Sequence, residues 1–441
     1  MTGKISELIS KIKPSDNGVV NDFEALKALL AEIIAYETVS SHEKDEAEST
    51  SELASDVAEA LKSFGAEFKL IDADYPEGVS QKTLIARFGD AADGGLVFSG
   101  HMDVIPARDQ EGWESDPFVL TEKGDRLIGR GATDMKGAVT AYIAMAEKLQ
   151  SMELKKPVYF AFSWGEEIGC CGNDHLLEGL QAFGARPDVV VVGEPTDGLI
   201  ITGHKGGGQQ RVVFKGSAGH SAYPKEGVSA IKYAAKLVDF LSSLEEGFEN
   251  NEALHDADFY PAYHTVNVGV ISGGNAANVI CDHVEVLFNA RFLSGRGEEL
   301  FQPIKEHVKL LNEKMLEEAL QVKDKKNLDM APEVGVQLID ISTKEGLIKQ
   351  NDNPKLKRVV EIFNETEGNG AGHNPIATKA YLTDAGGISH HYKNDETLTI
   401  VCGPGGILQN AHGPNEWITV EQFENSLKFP FALVGEYCIL K

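Results

Sequence analysis

The sequence has few cysteines, few basic residues and no long apolar run. Its five cysteines show no paired C-x-x-C spacing, and the two that are adjacent are poorly placed to pair with each other, so we expect reduced thiols. The cysteines are Cys170, Cys171, Cys281, Cys402 and Cys438. Lysine and arginine number 41 against 68 aspartates and glutamates, and the resulting charge of −27 has the wrong sign for binding nucleic acid or an anionic membrane.

Membrane and secretory segments are also missing. No segment reaches about 18 uninterrupted apolar residues, the length that a membrane-spanning helix needs. Charged residues such as Lys4, Glu7 and Lys11 interrupt the start of the chain, which argues against a secretory signal peptide. These absences predict a cytoplasmic protein.

The length of 441 residues exceeds what one hydrophobic core usually supports, about 250 to 300 residues, so we expect two structural units. The composition is that of an ordinary globular protein, with 42% hydrophobic and 25% charged residues. The 45 glycines indicate many tight turns or close backbone approaches.

The first half of the chain predicts an α/β fold with a largely parallel sheet. Near-continuous apolar runs at 95–100, 157–164 and 187–192 are typical of strands that helices cover on both faces. Helical periodicity at 51–64, 138–152 and 174–183 separates the apolar runs. This alternation is the pattern of βαβ units.

The pattern changes after the glycine-rich segment 204–208, which we interpret as a flexible stretch. The next 130 or so residues predict a β-α-β-β-α-β set, with strands at 209–216, 265–271, 283–292 and 334–341 and helices at 228–244 and 298–320. Such a set suggests a small ferredoxin-like α+β domain. The first pattern resumes near residue 344, so we predict a first domain made of 1–206 and 343–441 with a second domain, 207–342, inserted into it.

Acidic and histidine side chains follow the predicted buried strands. The residues are His101 and Asp103 after the first strand, Glu166 and Glu167 after the second, Glu194 after the third, and His412 in a loop after a strand at 398–401. Ligands bind beyond the carboxyl ends of the strands in such sheets, so these side chains are expected to converge. Asp134 lies among glycines just before a helix and is a further candidate.

Each of these residues taken alone has a simpler explanation. Asp134 could be a helix N-cap, and His101 could be a packed strand-end histidine. Glu166 and Glu167 could be a solvated pair at a turn, and Glu194 could merely end its strand. Because all of these residues are expected at the same edge of the sheet, a shared site explains them better than a separate reason for each one.

The chemistry that suits this set is metal-assisted hydrolysis. Two cations such as Zn²⁺, held by histidines and carboxylates, can lower the pKa of water and polarise a carbonyl. A carboxylate that does not bind metal must then accept the proton of that water and return it to the leaving amine. Adjacent glutamates suit this division, with one as ligand and the other as base.

Six separated strings carry a resemblance to a known family. They are SGHMDVIP around His101, GRGATDMKG around Asp134, SWGEEIGCCG around Glu166, VVGEPT around Glu194, GSAGHSAYP around His220 and GPGGILQNAH ending at His412. In this order the strings resemble the M20 metallopeptidase and deacylase family. They are most similar to its acetylornithine deacetylases, with succinyl-diaminopimelate desuccinylases as the nearest siblings.

The resemblance implies two Zn²⁺ or Co²⁺ ions per subunit and a role for each matched residue. Asp134 would bridge the ions, with His101 and Glu194 completing one site and Glu167 and His412 the other. Glu166 would be the general base and then acid, and Asp103 would hold the ring of His101.

The resemblance also assigns a role to His220, in the inserted domain. This histidine would reach the active site of the opposite subunit and stabilise the oxyanion. The inserted domain would then be a lid and the dimerisation surface of a homodimer. Taken alone, His220 would be a histidine in a tight Ser-Ala-Gly-His turn.

Similarity further suggests substrate contacts. Lys205, Asn278 and Arg291 would contact a carboxylate or an acyl oxygen of the substrate. Without the resemblance they would be a linker lysine, a turn amide and a surface cation. Asp384 and Gly386 would contribute at the amine end of the pocket, although TDAGG at 383–387 departs from the family's usual Thr-Glu-Gly-Gly pattern.

The function implied is removal of an acyl group, most simply acetyl, from a small N-acyl amino acid. The leading hypothesis is conversion of N-acetylornithine to ornithine and acetate in arginine biosynthesis. A desuccinylase, a dipeptidase or an aminoacylase would use the same residues. A binding protein that has lost hydrolysis is a further alternative, but all ligand positions and the base hold competent residues. An NAD-linked dehydrogenase is disfavoured because no G-x-G-x-x-G follows the first strand.

Overall fold

The structure is a computed structural model that describes residues 2–91, 93–326, 328, 330–368, 372–394 and 396–439. The chain forms two compact units. The large unit consists of Met1–Gly203, Leu347–Thr378 and Thr383–Lys441, and the inserted unit consists of His204–Gly346 and Lys379–Leu382. The inserted unit thus begins three residues before and ends four residues after the predicted segment 207–342.

The α-helices of the described residues are numbered in chain order. They are α1 (Thr2–Ile12), α2 (Phe23–Ile34), α3 (Ser51–Ser63), α4 (Lys136–Ala144), α5 (Ala146–Ser151), α6 (Asn173–Ala182), α7 (Ala230–Glu249), α8 (Gly297–Lys326), α9 (Leu356–Thr366), α10 (Ala385–His391), α11 (Val420–Asn425) and α12 (Lys428–Tyr437).

The β-strands are numbered in the same way. They are β1 (Glu67–Asp74), β2 (Ser80–Phe88), β3 (Leu96–His101), β4 (Thr121–Lys123), β5 (Arg126–Ile128), β6 (Val158–Ser163), β7 (Val189–Pro195), β8 (Ile200–His204), β9 (Gly206–Lys215), β10 (Gly219–His220), β11 (Thr265–Gly273), β12 (Val279–Ile280), β13 (His283–Phe292), β14 (Gly335–Lys344), β15 (Ile376–Lys379), β16 (Leu398–Gly403) and β17 (Trp417–Thr419).

The main sheet has the strand order β1-β2-β6-β3-β7-β16-β8-β15. Its four central strands, β6, β3, β7 and β16, run parallel, whereas β1, β2 and β8 pair antiparallel at the two sides. The predicted α/β fold with a largely parallel sheet is therefore confirmed. The antiparallel strands were not predicted, because their shorter or more polar sequences lack the continuous apolar run that marks a strand buried on both faces.

Helices bury the central strands from both sides. Every residue of β3 and β6 is buried, and so is every residue of α4, which packs on the sheet. The single helix predicted at 138–152 is wrong, because the structure contains two helices, α4 and α5, that meet at Met145.

The inserted unit has a four-stranded antiparallel sheet in the order β11-β13-β9-β14, with helices α7 and α8. This β-α-β-β-α-β topology confirms the predicted ferredoxin-like fold. The unit has its own core, in which Val212, Val286 and Ile304 are fully buried.

The glycine segment predicted to be flexible instead begins strand β9. A Cβ on Gly206 would lie 2.3 Å from the Phe292 ring, and one on Gly208 would lie 2.7 Å from the Phe301 ring. Glycine is therefore needed at these positions because two aromatic rings approach the backbone of the strand.

Two further expectations concern membranes and thiols. Among the described residues, no helix combines the length and the apolar character that crossing a membrane requires. All five cysteines are free of disulfide bonds.

Candidate active site

The carboxyl ends of the central strands bring the candidate ligands of the large unit to one place. His101 ends β3 and Glu194 lies near the end of β7, while Glu166 and Glu167 follow β6 and His412 lies in the loop after β16. The register pairs His101 with Ser163 across β3 and β6, which places the turn that carries Glu166 beside the imidazole. Parallel pairing therefore produces the convergence that the sequence predicted.

Asp134 lies between the two histidines. Its Oδ1 is 3.3 Å from His101 Nε2, and its Oδ2 is 3.3 Å from His412 Nε2. Glu194 Oε1 lies 3.6 Å from His101 Nε2, and Glu167 Oε2 lies 2.9 Å from His412 Nε2. The five side chains thus form two groups that share one carboxylate.

The donor set fits two small divalent cations. Ligand atoms about 2.0 to 2.1 Å from a tetrahedral Zn²⁺ lie about 3.3 Å from each other, close to the separations around Asp134. His101 Nδ1 lies 2.9 Å from the backbone carbonyl oxygen of Asp103. Because a carbonyl only accepts, Nδ1 carries the proton and donates it, which leaves the lone pair of Nε2 towards Asp134 and Glu194.

Glu166 lies at the edge of this cluster. Its Oε2 is 4.0 Å from His101 Nε2, farther than the carboxylates of Asp134 and Glu194, and its Oε1 accepts a hydrogen bond from the Cys170 thiol at 3.5 Å. Burial and the charge of Glu194 raise the pKa of Glu166 well above its ordinary value. The ligand atoms of His101, Glu166 and Glu194 also lie within 4.8 Å of one another, so distance alone admits Glu166 as a ligand.

Asp103 contacts both the ring of His101 and the turn after β6. Its carboxylate Oδ1 is 3.6 Å from His101 Nδ1, so the hydrogen bond to the ring is made by its backbone carbonyl. The carboxylate accepts hydrogen bonds from the Ser40 hydroxyl and from the backbone N–H groups of Glu166 and Glu167, the last two at 3.3 and 3.2 Å. Asp103 therefore ties the turn after β6 to the end of β3.

The cluster perturbs the pKa values of its members. Burial and the charge of Asp134 raise the pKa of Glu194 to about 8 and that of Glu167 to about 7, against the opposing effect of the histidines. Hydrogen bonds to Asp134 and Glu167 raise the pKa of His412 to about 11. Burial also acts to raise the pKa of Asp134, but its hydrogen bonds with His101 and His412 outweigh that effect and lower it. Protons thus balance part of the negative charge, and cations would replace them.

Glu416 and Arg130, neither of which the sequence analysis singled out, hold the loop that carries Asp134. Glu416 is fully buried, and its Oε1 accepts the backbone N–H groups of Thr133 and Asp134, both at 2.9 Å. Its Oε2 accepts the N–H of Gly131 at 3.0 Å and an Arg130 N–H at 2.7 Å. Both residues lie beside the matched strings, Arg130 inside GRGATDMKG and Glu416 four residues after His412, and that proximity was the available signal.

Asp384 and Gly386 belong to the large unit and are buried. The Asp384 carboxylate accepts from the Ser163 hydroxyl at 2.5 Å and from the Asn173 side-chain amide at 3.1 Å, so protein donors contact both of its oxygens. The Gly386 N–H donates to the Thr383 carbonyl at 3.2 Å. These contacts tie the start of α10 to β6 and α6, and a role in substrate binding stays a prediction for both residues.

His220 and Asn278 lie together in the inserted unit. The two-residue strands β10 and β12 pair His220 with Val279, and the Ser221 N–H donates to the Asn278 carbonyl at 3.1 Å. Both side chains are exposed, and His220 Nδ1 accepts the Ala222 N–H at 3.1 Å.

Lys205 and Arg291 lie elsewhere in the inserted unit, Arg291 near the end of β13 and Lys205 just before β9. Lys205 is fully buried, and its Nζ donates to the Tyr263 carbonyl at 2.6 Å. Burial and the nearby Arg291 charge lower the pKa of Lys205 to about 8.

Strand register separates Arg291 from Asn278. Arg291 pairs with Gly207, whereas His283, near Asn278, pairs with Lys215. Eight residues of strand separate the two pairs, roughly 27 Å, so the sheet does not bring Asn278 and Arg291 together within one subunit.

Comparison with known proteins identifies the family. Residues 97–435 match the model described as peptidase family M20/M25/M40. The chain belongs to this family. An acetylornithine deacetylase of Pasteurella multocida is 30% identical over 409 residues, covering 92% of this chain and 96% of the relative. An acetylornithine deacetylase of Proteus mirabilis is 28% identical over 414 residues, covering 93% of this chain and 96% of the relative.

Solved structures of M20 family members share the fold. An M20 family metallo-carboxypeptidase from Sulfolobus solfataricus has a TM-score of 0.69 at 18% identity, covering 93% of this chain and 98% of that one. Human carnosine dipeptidase 1 has a TM-score of 0.64 at 17% identity, covering 98% of each chain. A dinuclear metal-binding M20 peptidase from Bacillus subtilis has a TM-score of 0.55 at 15% identity, covering 93% of this chain and 98% of that one. The predicted M20 membership and fold are thus confirmed.

Proposed function

We propose that this M20 hydrolase is a metal-dependent deacylase that converts N-acetylornithine to ornithine and acetate, as a cytoplasmic enzyme of arginine biosynthesis. The observation that carries the proposal is the complete donor set around Asp134, with Glu166 beside it. The chain is also similar to acetylornithine deacetylases of Pasteurella multocida and Proteus mirabilis over 96% of their length.

Two Zn²⁺ or Co²⁺ ions would be held at this site. His101 and Glu194 would hold one ion, His412 and Glu167 the other, and Asp134 would contact both. Cations of this kind supply Lewis acidity, which lowers the pKa of water towards about 7 and polarises the scissile carbonyl.

Glu166 is the residue placed to move the proton. Its raised pKa suits a carboxylate that accepts a proton from the attacking water and passes it to the leaving nitrogen. Asp103 positions this base, because its carboxylate accepts the Glu166 N–H, and it orients His101 through its carbonyl. Neither residue needs to ligate metal to perform these roles.

His220 would stabilise the oxyanion of the opposite subunit in a homodimer formed through the inserted unit. Two features of that unit support the proposal: His220 is exposed, and it lies in the separate β10–β12 pair, whereas Arg291 pairs with Gly207 near the start of β9. One subunit therefore presents two separate polar groups, and two copies could supply complementary parts of one site.

Lys205 and Arg291 would bind the substrate carboxylate. A pKa of about 8 leaves Lys205 mostly protonated at neutral pH, and Arg291 adds a second positive charge. Asn278 would contribute an amide near His220. Asp384 and Gly386 would contribute to binding the amine end of the substrate.

The test is a comparison of kcat/KM for N-acetylornithine, N-acetylmethionine, N-succinyl-diaminopimelate and several dipeptides. We expect N-acetylornithine to be preferred, hydrolysis to stop on chelation, and Zn²⁺ or Co²⁺ to restore it. Preference for the succinyl substrate or for a dipeptide would replace the proposed substrate and leave the mechanism intact. Full activity of the metal-free protein would refute the mechanism itself.

A further inference from the structure

A cavity of about 310 Å³ lies in the large unit, apart from the candidate ligands. The loops after β7 and β16 and helices α4, α9, α11 and α12 surround it. None of the residues that line it belongs to the cluster around Asp134. Its volume is in the range of small-molecule sites, about 300 to 1,000 Å³.

The floor of the cavity is apolar. Phe363 and Phe429 are buried and pack edge to face, with ring centroids 5.2 Å apart and planes at 86°. Ala138, Ala141 and Pro430 complete this surface. A short aliphatic chain would lose water contact on this floor without leaving a polar group unsatisfied.

The rim is acidic. Asp197, Glu367 and Glu421 are the charged residues among the described residues that line the cavity, and all three are exposed. Burial raises the pKa of Glu367 in spite of the opposing charge of Lys428, so Asp197 and Glu421 are the acids best suited to a cationic ligand. An anionic ligand would be repelled.

Tyr142 supplies a second, independent indication of a ligand. The residue is 2% exposed and lines the cavity, and its ring packs on Phe98 with centroids 5.0 Å apart. Its hydroxyl has no hydrogen-bond partner within the described part of the chain. The hydroxyl is therefore free to donate a hydrogen bond to an acceptor atom of a ligand in the cavity.

We propose that this cavity binds a small organic cation. Its ammonium or guanidinium group lies at the rim near Asp197 and Glu421, and its aliphatic part packs on Phe363 and Phe429. An uncharged oxygen at its far end accepts a hydrogen bond from the Tyr142 hydroxyl. The proposal is independent of the reaction at the metal cluster.

Three isosteric probes separate these contributions. 4-Methoxybutylammonium carries both the charge and the acceptor oxygen, hexylammonium lacks the oxygen, and 1-methoxypentane lacks the charge. Dissociation constants are measured by ligand-observed NMR with the full-length, metal-loaded protein. We expect saturable binding of 4-methoxybutylammonium, about two- to tenfold tighter than that of hexylammonium, and weaker binding of the uncharged ether.

Variants assign the effects to residues. Tyr142→Phe should abolish the difference between the two ammonium probes, and Glu421→Gln should weaken both by about two- to fivefold. Glu424→Gln is the matched control, because Glu424 is exposed on the same helix and does not line the cavity. Equal binding of the ether, absence of saturation, or an unchanged preference in Tyr142→Phe would overturn the proposal. If Tyr142→Phe does not fold, the Glu421 and Glu424 pair still tests the acidic rim.

Discussion

Replacing Glu416 by glutamine tests how the loop that carries Asp134 is held. The carboxylate accepts four N–H groups, two on each oxygen, and is fully buried. A glutamine side chain has nearly the same shape but offers one acceptor oxygen and one NH₂ group. Whichever way the amide turns, two buried donors lose their acceptor.

The buried Arg130 guanidinium decides the orientation. An unpaired buried charge is more costly than an unpaired backbone N–H, so the amide oxygen should face Arg130 and Gly131. The NH₂ group then faces the N–H groups of Thr133 and Asp134. At about 1 to 3 kcal/mol per unsatisfied donor, the two lost hydrogen bonds cost about 2 to 6 kcal/mol, and the loss of the negative charge beside the buried Arg130 adds to this cost.

We therefore expect Glu416→Gln to lose metal affinity before it loses its fold. Residues that support metal ligands typically contribute about 10- to 100-fold in affinity or activity, and a loss in this range is expected for this variant. Zn²⁺ affinity is measured by competition with a chromophoric chelator, together with kcat at saturating metal and the thermal midpoint. Glu424→Gln is the control, because Glu424 is an exposed glutamate in α11, a few residues after Glu416 in the chain.

One result would refute this reasoning. If Glu416→Gln lowers the thermal midpoint while Zn²⁺ affinity and kcat, measured well below that midpoint, equal those of the parent, then Glu416 supports the fold and does not position Asp134.

Three further predictions concern the proton, the subunits and the cations. Glu166→Gln should keep both metals, measured by elemental analysis, while kcat falls by about 10²- to 10⁴-fold, because the amide cannot accept the proton of water. Mixing His220→Ala subunits with Asp134→Ala subunits should recover part of the activity, because some mixed dimers then contain one intact site. Cation binding should release protons and strengthen as pH rises from about 6 to 8. The reason is that Glu194, with a pKa of about 8, and His412, with a pKa of about 11, hold protons in the metal-free protein and must lose them to ligate. Calorimetry in two buffers of different ionisation enthalpy measures this release.

Each of these predictions has an opposing result. A near-normal kcat in Glu166→Gln would reassign the base, and loss of one metal would make Glu166 a ligand. Activity of the mixture no higher than that of the separate variants would indicate sites contained within single subunits. Binding enthalpies that do not depend on the buffer would show that no protons are displaced.

The central architecture could be predicted because its signals are local. Continuous apolar runs mark β3, β6 and β7 as buried parallel strands, and the carboxyl ends of such strands meet at one edge of the sheet. That rule alone was enough to nominate His101 and Glu194 as neighbours. The family strings then added roles that periodicity cannot supply.

Other features depended on contacts that the local sequence does not encode. The glycines that begin β9 looked like a flexible stretch, because only the rings of Phe292 and Phe301 show why glycine is required in that strand. The separation of Asn278 from Arg291 follows from strand register and could not be seen from their similar polar character.

The sequence by itself thus determined the α/β class, the ferredoxin-like insertion and the residues that converge on Asp134, because hydrophobic periodicity and strand ends are local properties. Only the tertiary structure decided which donors each buried carboxylate accepts. Glu416 lies 286 residues from Arg130 in the chain, and the Asp103 carboxylate contacts the turn after β6 while its carbonyl contacts the imidazole of His101. Buried hydrogen-bond partners are chosen by packing between distant segments, and spacing along the chain carries no record of that choice.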